Sequence, residues 1–223
     1  MTRVDRKTDA EIQRDVLEEL RWDPRVEETD LDVTVGGGVV TLTGTVTSWA
    51  RRVAARDAAR RVAGVRDVAN AITVETPESL DRTDPELADA VRRTLAWDVF
   101  VPDDRIVSTV TSGIVTLEGT VETLMQRDAA ERALRNLTGV KAVVNKLAVQ
   151  APARINEHVA EAIEHALERR AERQARRIRI DVHDGVVTLT GTVHSWAERR
   201  SVLGAARSTP GVRAVEDRLW PEP

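Results

Sequence analysis

The chain has 223 residues, with 33 Lys and Arg against 37 Asp and Glu, a formal net charge of -4. Its 41% hydrophobic content can support packed cores, but aromatics make up only 3%, so those cores must be small and built from Val, Ile, Leu and Ala. Having no Cys excludes disulfides, thiolate metal sites and a Cys nucleophile, and the slightly acidic balance argues against general nucleic-acid binding, whose footprint is a basic stripe. No run approaches the ~18 apolar residues of a membrane-spanning helix. Met1 to Lys7 leads into charged residues rather than an apolar signal core, so the expected compartment is the cytoplasm.

Internal repetition organises everything else. Gly38-Val39-Val40-Thr41-Leu42-Thr43-Gly44-Thr45-Val46 recurs from Gly113 to Val121 and again from Gly185 to Val193, at spacings of 75 and then 72 residues. A Gly-Val pair follows each copy in register (Gly64-Val65, Gly139-Val140, Gly211-Val212), and Leu20, Leu95 and Leu167 precede each copy in register. Three tandem domains are therefore expected, at 5–76, 82–150 and 153–221.

Each repeat reads helix, strand, strand, helix, strand. The first helix carries Ile12, Val16 and Leu20, then Leu87, Val91 and Leu95, then Val159, Ile163 and Leu167, all at i, i+4, i+8. In the second repeat Asp84-Pro85-Glu86 reads as an N-cap, a first-turn Pro and a first-turn acid. Strand one is Leu31 to Val35, with Ile106 to Val110 and Ile178 to Val182 as counterparts. Gly36-Gly37-Gly38, Thr111-Ser112-Gly113 and His183-Asp184-Gly185 then form hairpin turns in which Gly supplies positive φ. The triple Gly is thus a turn, and no Gly-Lys-Ser/Thr follows it as a phosphate loop would require.

Strand two alternates, with Val40, Leu42 and Val46 on one face and Thr41, Thr43 and Thr45 on the other. Gly44, Gly119 and Gly191 fall on the inward face, which predicts close approach of a helix or a bulge. Ser48, Thr123 and Ser195 are expected N-caps for helix two, whose buried stripe in the first repeat is Ala55, Ala58, Ala59 and Val62. Strand three, Val68 to Val74, follows a crossover helix and should lie parallel to strand two. The fold class is α+β: three small α-β-β-α-β domains, each with two helices on one face of a three-stranded mixed sheet. Thr76-Pro77-Glu78-Ser79 and Gln150-Ala151-Pro152 are the linkers.

These residues resemble a known family. Gly-x-Val-Thr-Leu-x-Gly-x-Val, a Ser-capped helix, then Gly-Val-x-x-Val-x-Asn-x-Leu is similar to the BON domain, named for osmotically inducible and nodulation proteins of bacteria. The last stretch is Gly64 to Ile72 and Gly139 to Leu147, while the third repeat has Asp217 where the pattern has Asn. The resemblance covers nearly the whole chain. It implies the fold just described and a non-catalytic role in phospholipid binding at membranes or in osmotic stress; relatives joined to a LysM module are associated with potassium.

Candidate contact residues stand beside structural alternatives. Trp49 and Trp196 follow the helix-two N-cap, and Leu124 replaces them in the second repeat. At 100° per residue, Trp49 lies roughly 130° from the centre of its helix's Ala stripe, so it should point away from its own core. It then either anchors lipid or a partner, or packs on a neighbouring domain or the end of strand one. Trp22 and Trp97 read as covers over the domain edge. Arg169, Arg170, Arg173, Arg176 and Arg177 form the chain's one basic concentration. That stretch either attracts anionic headgroups, at about 1 kcal/mol per residue, or extends a helix in which Arg pairs with Glu161, Glu164, Glu168 and Glu172. His158 and His165 are seven apart, the wrong spacing for one metal ion. Asn70, Asn145 and Asp217 should tie down backbone at the helix-two junction.

No acid–base pair or nucleophile recurs, so neither an enzyme nor a cofactor is expected. The leading expectation is a stress-response binding or adaptor protein whose partner is anionic phospholipid or another protein. A potassium-responsive protein is the second reading, and a scaffold self-associating through strand edges or Trp49 and Trp196 is the third.

Overall fold

The structure is a computed structural model, and it describes residues 7–26, 31–77, 80–150, 159, 163 and 178–221. In the first repeat, α1 (Asp9–Trp22) precedes β1 (Leu31–Gly36), β2 (Val39–Val46), α2 (Trp49–Arg61), β3 (Asp67–Asn70) and β4 (Thr73–Val74). The second repeat follows the same order: α3 (Asp84–Trp97), a 3-10 turn (Asp103–Arg105), β5 (Ile106–Thr111), β6 (Ile114–Val121), α4 (Leu124–Ala133), β7 (Ala142–Asn145) and β8 (Ala148–Val149). The third contributes β9 (Ile178–His183), β10 (Val186–Val193), α5 (Trp196–Ser208) and β11 (Ala214–Pro221). Its first helix is described only at Val159 and Ile163, both helical and buried; Leu167, His158, His165 and the Glu partners expected for the Arg stretch lie outside the described residues.

The alternation of strand two has the expected consequence. Val40, Leu42 and Val46 join Ile12, Val16 and Leu20 of α1 and Ala55, Ala58 and Ala59 of α2 in one buried cluster. β1 and β2 are antiparallel, Leu31 opposite Gly44 through Gly36 opposite Val39, and β3 and β4 both run parallel to β2 after the α2 crossover. The sheet order is strand one, strand two, strand three in every repeat. Strand three is interrupted after Asn70 and after Asn145 but runs unbroken from Ala214 to Pro221 in the third repeat.

Both central residues of each hairpin turn have positive φ: Gly37 and Gly38, Ser112 and Gly113, Asp184 and Gly185. That is the type I′ turn that suits twisted strands. Two of these turns are tied down by carboxylates. Asp9 accepts the Gly37 and Gly38 amides at 2.8 and 2.9 Å, and Asp84 accepts those of Ser112 and Gly113 at 2.7 and 3.0 Å. Asp84 is therefore not the cap of its own helix. Thr83 takes that place, its amide and hydroxyl donating to Glu86 at 3.0 and 2.8 Å, as Thr8 does with Glu11 at the head of α1.

Gly119 corrects the expected approach of a helix at the strand-two glycines. Gly44, Gly119 and Gly191 have φ of +116°, +131° and +143°. A Cβ on Gly119 would lie 2.1 Å from the Arg105 carbonyl oxygen. The close neighbour of Gly119 is the backbone entering strand one, not a helix.

By packing, the chain falls into two compact units: 1–91 with 110–115 and 134–143, and 92–109 with 116–133 and 144–223. The second repeat contributes to both. Within the second unit a second-repeat side chain enters the third repeat's core. Leu124 at the head of α4 is buried in the third repeat's cluster, with Val159, Ile163, Val187, Leu189 and Val202 among its members.

Candidate functional site

Each helix two starts in the same way. Ser48, Thr123 and Ser195 accept the amides of Arg51, Gln126 and Glu198, as their positions predict. One turn later stands an Arg that sequence reasoning missed, eighteen residues before the Asn or Asp of strand three. Arg52 donates to the Asn70 carbonyl at 3.0 Å, and Asn70 returns a bond to the Arg52 carbonyl at 2.9 Å. Arg127 and Asn145 repeat the exchange at 3.4 and 3.0 Å. In the third repeat, Asp217 replaces the amide and pairs ionically with Arg199 at 2.6 Å. The side-chain Oδ1 of Asn70, Asn145 and Asp217 accepts the amide two residues on. This is the junction duty expected of these residues, and the register of the Arg across all three repeats was the available signal.

The residue heading helix two has a different fate in each repeat. Leu124 is buried in the next repeat's core, and its flanks join that repeat by two further contacts. The Gly211 amide donates to the Glu122 carbonyl at 3.1 Å, and Arg207 pairs with Asp128 at 2.5 Å. In the first compact unit, Arg135, the counterpart of Arg207, lies 3.8 Å from Asp57 of α2. A cavity of about 160 Å³ there is lined by Thr47, Ser48 and Arg135 together with Gly139 and Val140. Trp49 is buried, only 9% exposed, beneath the Arg52 guanidinium at 5.5 Å from the ring centroid. Trp196 also carries its Arg, Arg199 at 5.1 Å, yet it is 60% exposed.

Of the expected contact residues, Trp196 therefore presents a free apolar surface and Trp49 does not. Val53 and Ala54 are buried as well as the Ala stripe, so α2 is covered on more than its core face. Arg169, Arg170, Arg173, Arg176 and Arg177 lie outside the described residues. Trp22 and Trp97 are 79% and 87% exposed, so neither covers a domain edge; the last turn of helix one carries both rings away from the stripe that α1 and α3 bury. Beside Trp22, the buried Asp23 carboxylate receives Arg25 at 2.6 Å and Arg61 at 2.7 Å. The Arg25 hydrogen bond, seconded by Arg61 against the cost of burial, holds its pKa well below the usual carboxylate range. The pair locks the C-terminal end of α1 to α2. Among the described residues, no group of three His, Asp or Glu could hold a metal ion, and no helix is long and apolar enough to cross a membrane.

Two helices over a three-stranded mixed sheet, repeated three times around a fixed Gly, Ser/Thr and Asn/Asp framework, define the class. The BON domain profile matches residues 8–76, 83–151 and 156–219, and the chain belongs to the BON domain family. It is 32% identical over 126 residues to osmotically-inducible protein Y of Escherichia coli (strain K12), a stretch that is 55% of this chain and 63% of that protein. Among solved structures it is similar to CdsD, a structural protein of the type III secretion system of Chlamydia trachomatis. One CdsD structure, of the C-terminal domain, covers 100% of both chains at 16% identity and a TM-score of 0.28. Another covers 94% of this chain and 92% of its own at 17% identity and 0.27. Superposition at those scores bears on neither architecture nor role.

Proposed function

We propose that the chain is a non-catalytic binding protein of the osmotic-stress type, and that its third repeat attaches it to anionic phospholipid surfaces. The exposure of Trp196 carries this reading. The two positions equivalent to it in the chain are filled by buried side chains, whereas Trp196 faces solvent among Arg199 and Arg200. An indole beside guanidinium groups matches the boundary between acyl chains and phosphate headgroups. Membership of the BON domain family and likeness to osmotically-inducible protein Y support the stress association.

Flotation with vesicles of anionic phospholipid tests it. Binding should weaken as salt rises, because attraction between charges decays over a Debye length of ~8 Å at physiological salt. Trp196→Ala should lower affinity without altering the salt slope, and reversing Arg176 and Arg177 to Glu should flatten that slope. A wild-type chain that stays in the buffer with anionic vesicles at low salt refutes the lipid reading.

A further inference from the structure

The joint between the second and third repeats has two halves whose counterparts recur, uncovered, on the first and third repeats. The projecting half is the head of helix two, Leu124 with Asp128 one turn on; the receiving half is Arg207 with Gly211 and Val212. Gly139, Val140, Gly211 and Val212 are all buried, as a covered receiving half requires. Their first-repeat counterparts are not: Arg60 and Gly64 are exposed and Val65 is only partly buried. On the third repeat, Trp196 is the exposed projecting residue.

Charge distinguishes the uncovered halves from the completed joint. Asp57 and Asp128 stand eight and four residues after Trp49 and Leu124, on the same side of helix two, and each meets the Arg of the receiving half. After Trp196 those positions hold Gly204 and Arg200. Docking the third repeat of one copy on the first repeat of another would therefore bring Arg200 against Arg60. We infer that these surfaces form a head-to-tail interface between copies of this chain, with Trp196 of one copy seated at Arg60, Gly64 and Val65 of the next, and that repulsion between Arg60 and Arg200 keeps it open at low ionic strength. Apolar contact hardly responds to salt, whereas repulsion between exposed guanidinium groups is screened as the Debye length falls from ~30 Å at 0.01 M to ~3 Å at 1 M. Rising salt drives assembly. A head-to-tail contact of this kind builds chains, or rings if the rotation closes.

The inference does not rest on lipid binding, and it runs opposite to it with salt. Sedimentation velocity of the full chain, over a concentration series at low and high sodium chloride, reads it directly. The wild type is expected to be monomeric at low salt and to gain mass with concentration at high salt. Arg200→Asp places an acid where Asp128 stands and should assemble at low salt, at least about tenfold more tightly than the wild type. Arg60→Glu should do the same from the other side, and Arg60→Glu combined with Arg200→Asp should return the chain to monomer. Trp196→Ala should abolish assembly in every background. All three residues are exposed, so unchanged circular dichroism is the expected check on folding. A chain that stays monomeric as Arg200→Asp, or a double variant that assembles as well as either single one, overturns the interface.

Discussion

Gly119→Ala tests the account of the sheet most sharply. At φ +131° a non-glycine residue is held in a region that costs about 1–3 kcal/mol. The new Cβ would lie 2.1 Å from the Arg105 carbonyl oxygen, where ordinary contact begins near 3.4 Å. The obstacle is backbone, so relief means moving the start of β5 away from β6 and weakening the ladder there. Strain and lost pairing together should cost ~3–5 kcal/mol. A domain of this size has ~3–10 kcal/mol of stability in all. Because tandem repeats need not unfold in one step, hydrogen exchange should be followed separately for strand-two amides of each repeat. Protection at Val115 and Leu117 should collapse while that at Val40 and Leu42 changes far less. Gly204→Ala is the control: its Cβ would meet nothing within 4 Å in the middle of α5, and it should stabilise by about 0.5–1 kcal/mol. If Gly119→Ala left second-repeat protection within about 1 kcal/mol of wild type, the reading of this glycine as a forced approach would be wrong.

Three more outcomes follow from the same geometry. Trp49→Ala should cost ~3–5 kcal/mol in urea denaturation, as burial of a large ring requires, while Trp196→Ala should stay within about 1 kcal/mol of wild type; equal losses would contradict their different burial. Asp23→Asn should destabilise at neutral pH. The Asp23 pKa lies below its unfolded value of 3.8, so its contribution is complete above that value and is lost as pH falls through the lower folded pKa; the melting temperatures of wild type and variant should therefore converge on acidification below pH 3.8, and a gap that widened there would count against the pair. Asp84→Ala removes two bonds to turn amides and should cost about 1–3 kcal/mol, read as faster exchange at Ser112 and Gly113.

Much of this was written in local sequence. The i, i+4, i+8 stripe of α1, the alternation of β2, the Ser and Thr caps and the parallel third strand each depend on a few neighbouring residues, and each appears where the pattern puts it. What escaped sequence reading depends on residues far away in the chain. Asp84 sits where a cap could sit, but Thr83 with Glu86 satisfies the helix better and frees Asp84 for a hairpin twenty-eight residues on. The α2 stripe was right at Ala55, Ala58 and Ala59, yet it said nothing of what covers the other side of the helix and so left open whether Trp49 would be free or covered. Arg52, Arg127 and Arg199 look like solvated surface in any single repeat; only their common distance from Asn70, Asn145 and Asp217 marks them as structural.

The repeats also separate what serves the fold from what serves a partner. Positions that hold the same chemistry in all three copies have a structural explanation close at hand: the strand-two Gly holds a positive φ, the Ser or Thr caps a helix, the Arg holds the end of strand three. The position that heads helix two behaves otherwise. In the second repeat it carries Leu124 into the third repeat's core, and the acid beside it finds an Arg. In the third repeat the same position keeps a larger apolar side chain, exposes it, and exchanges the acid for Arg200. Folding alone favours neither change. An exposed indole gains nothing from water, and the lost carboxylate removes a favourable contact for a receiving Arg. The exposed indole becomes favourable once something outside the chain meets this surface, while Arg200 attracts an anionic bilayer and opposes Arg60 of another copy, so opposite salt responses tell the two candidates apart. Attachment to an anionic bilayer weakens with salt; docking on the first repeat of another copy strengthens.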